Sequence, residues 1–269
     1  MRNRMLAAAL LPAAMLLAPA AWAHDPVAQV EEAEAQEPRV TGLFTTLPIM
    51  WGETASIAET LAGSAEQHWA RGVLEQGGKL RAVDFIAPEY LADVDLLVMA
   101  QPRPLAPSEN VALDEWVRGG GRLLLVADPM MTSHSRFGLG DRRRPQDVVL
   151  LSPILQRWGI EMLYDEGQPE AAQLLGENIP AEDVGTVRDG DADRGHPKQV
   201  AIPVMLPGHF RLAGNGVRAC QQSHDNSFLR CRLGTGSITL FGDAAFLDLH
   251  EPMPGSDSAL AWLLGESRK

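Results

Sequence analysis

Cysteine is nearly absent from this sequence: Cys220 and Cys231 are the only two. Neither leads from an apolar strand into a tight turn, which is where a nucleophilic thiol sits. A Gly-x-Ser-x-Gly elbow, a phosphate loop and a dinucleotide fingerprint are also missing. Gly119-Gly120-Gly121 precedes an apolar run instead of opening a helix, so it reads as a turn and not as a phosphate cradle. No His-x-x-x-His or His-x-Asp pair supplies the close ligands a catalytic metal usually takes. Basic residues are the scarcer sign, 23 against 35 acidic, for a net charge of −12. Such an acidic balance argues against partners with phosphate backbones and against charge-driven binding to anionic lipid.

Long apolar runs are also lacking, with one exception at the start. Arg2 and Arg4 precede an apolar stretch from Met5 to Leu17, and Ala21-Trp22-Ala23 has small residues where a signal peptidase reads. Cleavage before His24 is expected, with export to a bacterial periplasm. No later stretch reaches the roughly 18 apolar residues of a membrane span. Removing residues 1–23 leaves 21 basic and 35 acidic residues, a net charge of −14. Residues 24–39 read as a flexible acidic leader, and 40–269 as a single α/β domain.

That domain is organised around Val94 to Pro129. Asp95-Leu-Leu-Val-Met-Ala-Gln101 and Arg122-Leu-Leu-Leu-Val-Ala-Asp128 are short, nearly continuous apolar runs, as in strands buried on both faces of a parallel sheet. Between them Pro107 suits a first helical turn, Glu109 the positive end of a helix, and Leu113, Trp116 and Val117 one inward face. The unit is βαβ. Its fold class is α/β, a mostly parallel sheet with helices on both faces.

Around it, Val40–Leu47 reads as a first strand and Pro48–Gly52 as a turn. Ser56 and Glu59 have capping-box spacing, and Ile57, Leu61, Ala65 and Trp69 line a helix that Gly77-Gly78 stops. Val83–Ala87 is expected as a second strand. Met130–Gln146 is an irregular loop with His134, Arg136 and the run Arg142-Arg143-Arg144, read either as an anion clamp or as a solvated loop. Ser152 and Pro153 open a short helix as cap and first residue, Gly159 closes it, and Ile160–Tyr164 is extended. Asp189-Gly-Asp-Ala-Asp193 fails the calcium-loop pattern, because Arg194 and Val200 stand at its glycine and glutamate positions. Val200–Leu206, Gly216–Gln221, Phe228–Leu233 and Ser237–Phe241 read as strands of an antiparallel addition, with Ser258–Leu264 a terminal helix. Cys220 and Cys231, on either side of a polar turn, are expected to form a disulfide in an oxidising compartment.

Asp95-Leu-Leu-Val-Met-Ala, Pro104 through Trp116 to Pro129, Ser152-Pro-Ile-Leu-Gln-Arg-Trp-Gly-Ile-Glu161 and Gly234-Thr-Gly-Ser-Ile-Thr-Leu-Phe-Gly-Asp-Ala-Ala-Phe246 together resemble the exported domain of gliding-motility-type, uncharacterised ABC-transporter auxiliary proteins. The resemblance implies a class I glutamine-amidotransferase-like sheet without that enzyme's chemistry, since Ala127-Asp128-Pro129 stands where the nucleophile elbow would be. It implies ABC permease or ATPase components, or another envelope protein, as partners. Family members usually carry a membrane span, and here none follows the signal.

The polar groups expected at the carboxyl ends of the strands are Thr45, Thr46, Gln101, Arg103, Asp128, His134 and Asp243, which are the ligand-binding candidates. Asp128, His134, Asp243 and His250 could surround a divalent metal for hydrolysis. Alternatively, Asp128 and Asp243 accept hydrogen bonds from backbone N–H groups at the start of the next helix, as N-caps. No catalytic residue, metal or cofactor is assigned. An accessory or binding domain is the leading expectation; a metal-assisted hydrolase and a protein-interaction module using the arginine loop are the alternatives.

Overall fold

The computed structural model describes residues 39–53, 58, 66–131, 135–166, 186–187 and 200–269. The strands are β1 (Val40–Thr45), β2 (Lys79–Ala82), β3 (Leu96–Ala100), β4 (Arg122–Val126), β5 (Ile160–Leu163), β6 (Thr186–Val187), β7 (Val200–Ala201), β8 (His209–Leu212), β9 (Arg218–Gln222), β10 (Phe228–Leu233) and β11 (Gly236–Phe241). The α-helices are α1 (Trp69–Glu75), α2 (Pro88–Leu91), α3 (Pro107–Arg118), α4 (Ser152–Trp158) and α5 (Ser256–Arg268).

Seven strands form one sheet in the order β2-β1-β3-β4-β11-β10-β9. From β2 to β11 every pairing is parallel, and β11, β10 and β9 then run antiparallel to one another. The continuous apolar runs belong to the inner strands: all five residues of β3 and all six of β11 are buried. Alternate residues serve opposite layers, as the two-residue period of a strand requires. Leu97 and Met99 join Leu113 and Val117 of α3 and Ile154, Leu155 and Trp158 of α4. Leu96, Val98 and Ala100 join Ala70, Val73 and Leu74 of α1 and Leu260, Leu263 and Leu264 of α5. Helices therefore cover both faces, and the expected α/β class is the one observed.

The second strand lies earlier than its hydrophobicity suggests. It is Lys79–Ala82, registered Val40↔Lys79 through Leu43↔Ala82, and not Val83–Ala87. As an edge strand it needs few apolar residues. Val83 and Ile86 are buried in the connection that follows, which is what their hydrophobicity reflects. Likewise Val200–Leu206 contributes only Val200–Ala201 to a strand, paired with β6. Pro203 offers no N–H to a ladder, and the Met205 N–H goes to the Asp243 side chain. Strand β8 has no counterpart among the expected strands; it pairs antiparallel with β5 in a separate ribbon, Ile160↔Leu212 to Leu163↔His209. In α4, Leu151 is the cap, so Ser152 and Pro153 fall inside the first turn, while Gly159 closes the helix at φ 74° as expected. The capping box at Ser56 and Glu59 lies outside the described residues, as does the acidic run Asp189–Asp193. Helix α1 begins after His68, whose Nδ1 accepts the Ala70 N–H at 3.2 Å.

Cys220 and Cys231 are bonded across β9 and β10, with Cα atoms 4.1 Å apart. The register slips between Arg230 and Arg232, so Ala219, at φ 49°, and Cys220 face one residue of β10. This bulge brings the two sulfurs together at the rim of the sheet.

Candidate functional site

Of the expected polar residues, Thr45, Thr46, Gln101, Asp128 and Asp243 lie at the carboxyl ends of β1, β3, β4 and β11, where their hydrogen bonds go to neighbouring strands and turns. Gln101, just past β3, is fully buried and its backbone sits at φ 39°, the left-handed region that non-glycine residues avoid. Its side chain bridges to the neighbouring strand end. Oε1 accepts the Asp128 N–H at 2.8 Å, and Nε2 donates to the carbonyls of Asp128 at 3.1 Å and Gln146 at 2.8 Å. These bonds hold the strained backbone in place. Thr45 donates its hydroxyl to the Ala100 carbonyl at 2.6 Å and accepts the Leu47 N–H at 2.9 Å. Thr46 donates to the Gln101 carbonyl and accepts the Gln146 N–H at 3.1 Å, tying the long loop across the strand ends.

Asp128 and Asp243 close the turns after β4 and β11. One oxygen of Asp128 accepts the Met130 N–H at 2.8 Å, and the carboxyl also takes the Ala244 N–H. Asp243 accepts the Ala245 N–H at 2.8 Å and the Met205 N–H. Both carboxyls thus accept backbone N–H groups, as the alternative to a metal site expected, but at a turn after Asp128 and a short 3-10 turn after Asp243 and not at the start of an α-helix. Burial, and then the neighbouring charge of Asp243, push Asp128 up to about 8; burial pushes Asp243 up to about 6. Two carboxyls this deep do not both ionise at neutral pH. The chain also passes directly over them: the Gly208 N–H donates to the Gly242 carbonyl at 2.7 Å, and a Cβ at Gly242 would stand 2.2 Å from the Gly208 oxygen.

Arg103 is drawn away from this cluster. Its guanidinium grips Glu109 with two bonds of 2.8 Å, donates to the Asp84 carbonyl at 2.8 Å and lies over the Phe44 ring. Glu109, fully buried, also accepts the N–H groups of Ala106 at 2.8 Å and Ile86 at 3.1 Å. Burial alone would raise the Glu109 carboxyl; Arg103 and the two N–H donors outweigh it and hold the group below its ordinary value. Arg103 therefore locks the start of α3 to the loop after β2. His134 lies outside the described residues. His250 faces His68, with ring centroids 6.1 Å apart, and His68 is lowered to about 4 by burial and then by the His250 charge.

The arginine loop is held by its own acids. Arg143 pairs with Asp141 at 2.7 Å and covers Phe137; Arg144 pairs with Asp147 at 3.1 Å and donates to the Phe137 carbonyl at 3.0 Å. Arg142 is exposed. Among the described residues, no group of three or more His, Cys, Asp or Glu side chains is placed to hold a metal.

The open surface lies beside the strand ends. A cleft of about 270 Å³ is lined by apolar side chains, among them Pro129, Val148 and Leu163, and by the polar Ser152, Gln156 and Glu161. Val148 and Leu163 are exposed within it, as are Met130 and Leu150 next in sequence to other lining residues. The signal for it was Val148-Val-Leu-Leu151, an apolar run outside any strand or helix, of which Leu151 is buried while Val148 and Leu150 stay exposed.

Residues 56–170 match a family described as an ABC-type uncharacterized transport system, the kind of family that the sequence resembles. No curated protein matches the chain. Solved structures similar to it include an exo-beta-1,4-mannosidase from an Opitutaceae bacterium, 15% identical with a TM-score of 0.46, over 86% of this chain and 36% of that one. A ThuA-like protein from Bacteroides uniformis is 11% identical with a TM-score of 0.37, over 87% and 95% of the two chains. A cytoplasmic protein from Salmonella typhimurium is 14% identical with a TM-score of 0.40, over 86% and 100%. The chain spans about a third of the mannosidase, and no activity is carried over at these scores. No described helix is long and apolar enough to cross a membrane.

Proposed function

We propose that this chain is an exported, non-catalytic accessory domain of an ABC-type transport or envelope system, working in the periplasm by binding a protein partner. The observation that carries the proposal is the filled carboxyl end of the sheet. Ligands in open α/β sheets bind there, yet Thr45, Thr46, Gln101, Asp128 and Asp243 spend their hydrogen bonds on neighbouring strands and turns. The family match over 56–170 supports the transport context. The disulfide and the N-terminal export pattern support an oxidising compartment. The cleft around Val148 and Leu163, part polar and part apolar, is the contact surface, offering exposed apolar side chains that a partner would remove from water. A permease or ATPase component is the expected partner.

Metal-assisted hydrolysis would require Asp128 and Asp243 ionised and open. Both are buried, raised in pKa and supplied with backbone donors. The test is in-cell photocrosslinking from position 150, with position 111 on the exposed side of α3 as control. Envelope transporter components crosslinked from 150 and not from 111 support the proposal. No specific product from 150, under conditions that capture a known envelope complex, overturns it.

A further inference from the structure

We propose that the amino ends of β1, β3 and β4 form a binding site for one phosphate-type oxyanion, held by Arg39, Arg122 and Arg268 together with the Thr41 hydroxyl. These residues, with Asp95 and Leu96, line a cleft of about 120 Å³ on the opposite end of the sheet from the filled carboxyl ends. At ~30 Å³ for each water in the liquid, the cleft has room for about four waters, the scale of a single tetrahedral oxyanion and not of a nucleotide.

Charge is the first reason. Three arginines and one carboxylate line the cleft, in a chain whose net charge is −12. That carboxylate is partly occupied, since Asp95 accepts the Val40 N–H at 2.6 Å. Among the described residues none of the three arginines forms an ion pair. The local excess of two positive charges matches a dianion. Burial and then the charge of Arg39 pull Arg268 below its ordinary pKa, the cost a bound anion would offset.

The second reason is a buried donor pointing at the same place. Thr41 is 1% exposed, and its Oγ1 accepts from Arg268 Nη2 at 3.4 Å. Its own hydroxyl proton has no acceptor among the described residues, and an oxyanion in the cleft would supply one. The third is space made for the cation. A Cβ on Gly77 would stand 2.1 Å from Arg268 Nη2, so glycine there lets the guanidinium lie against the turn after α1. Guanidinium groups bind phosphate oxygens in pairs of strong, charge-assisted hydrogen bonds.

The phosphate could be a free ion or the headgroup of a lipid, and the experiment separates them. Thermal unfolding and calorimetry of the full chain are followed with inorganic phosphate at constant ionic strength, sodium chloride making up the difference. In parallel, vesicles of phosphatidic acid in phosphatidylcholine are compared with phosphatidylcholine alone. Wild-type protein is expected to gain stability with phosphate and not with chloride. Arg122→Gln, an exposed change that leaves the fold intact, and Arg268→Gln should each weaken the affinity at least tenfold; Gly77→Ala, which displaces only the far end of Arg268, should weaken it several-fold. Binding to phosphatidic acid vesicles alone, lost in Arg122→Gln, would assign the site to a lipid headgroup. No phosphate-specific effect in either arm, or an effect that the folded Arg122→Gln and Arg268→Gln proteins retain, would overturn the proposal.

Discussion

The two ends of one sheet have been treated in opposite ways. At the carboxyl end, polar side chains are numerous, buried and matched to one another, so that Gln101 alone bridges two strand ends and a loop. At the amino end, Arg39, Arg122 and Arg268 line one cleft, with Asp95 the one carboxylate among its described lining residues. Polar residues at strand ends are therefore no guide to a ligand until their partners are known. A saturated cluster is part of the fold, whereas an unbalanced one has bonding capacity left.

The comparison predicts that substitutions at or beside the carboxyl end are costly and those at the amino end cheap. The largest loss is expected for Glu109→Ala, which strips the N–H groups of Ile86 and Ala106 and the Arg103 guanidinium of their common acceptor. Because the Arg103 side chain is 38% exposed and water can take over part of the loss, about 2–4 kcal/mol is expected in urea unfolding. Gln101→Ala should follow at roughly 2 kcal/mol, since it orphans the Asp128 N–H while leaving a residue at φ 39°. A cost below about 0.5 kcal/mol for either would show that this end is open to water.

A subtler test is pH. Asp128 in the native state holds its proton up to about 8, whereas the unfolded chain releases it near 3.8. Between those values the native state binds more protons, so this group's contribution to stability is full below pH 3.8 and is lost as pH rises through 8. His68 acts in the other direction. Its native value of about 4 lies below 6.5, so its contribution is present above pH 6.5 and lost as pH falls through 4. Asp243, with a native value of about 6, loses its contribution in the same direction as Asp128, so stability should decline from pH 6.5 to 8.5 with the upper part of the fall set by Asp128, and Asp128→Asn should flatten that upper part despite a lower plateau. An unchanged slope in Asp128→Asn would remove the buried carboxyl from the explanation. The smallest effect is expected for Arg122→Gln, less than about 0.5 kcal/mol without phosphate, in line with an exposed side chain that forms no ion pair among the described residues.

Much of this was legible in the sequence and some was not, for physical reasons. The runs Leu96–Ala100 and Arg122–Val126 could be placed because strands buried on both faces leave no alternative to apolar residues. Strand β2 could not, because Lys79–Ala82 at an edge is chosen by its ladder to β1 and carries little hydrophobic signal. Gathering Thr45, Gln101, Asp128 and Asp243 at one end followed from strand direction alone. That they satisfy one another depends on Gln101 adopting a left-handed backbone and on the 205–208 segment crossing Gly242, neither of which leaves a mark in local sequence. Arg103 was misleading for the same reason: its partner, Glu109, carried a helix-start signal that explained the acid without the base. The arginines of the amino end come from three places far apart in the chain, so only the fold brings them together.

Carboxyl carbon-13 NMR titration of Asp128 and Asp243 tests the closed carboxyl end most directly. If the end is closed, Asp128 remains protonated at neutral pH, titrates near 8, and neither resonance responds to magnesium, zinc or manganese. Ionisation of both carboxyls by pH 5, with resonances that shift or broaden on adding a divalent metal, would contradict it and return the strand ends to the list of open sites.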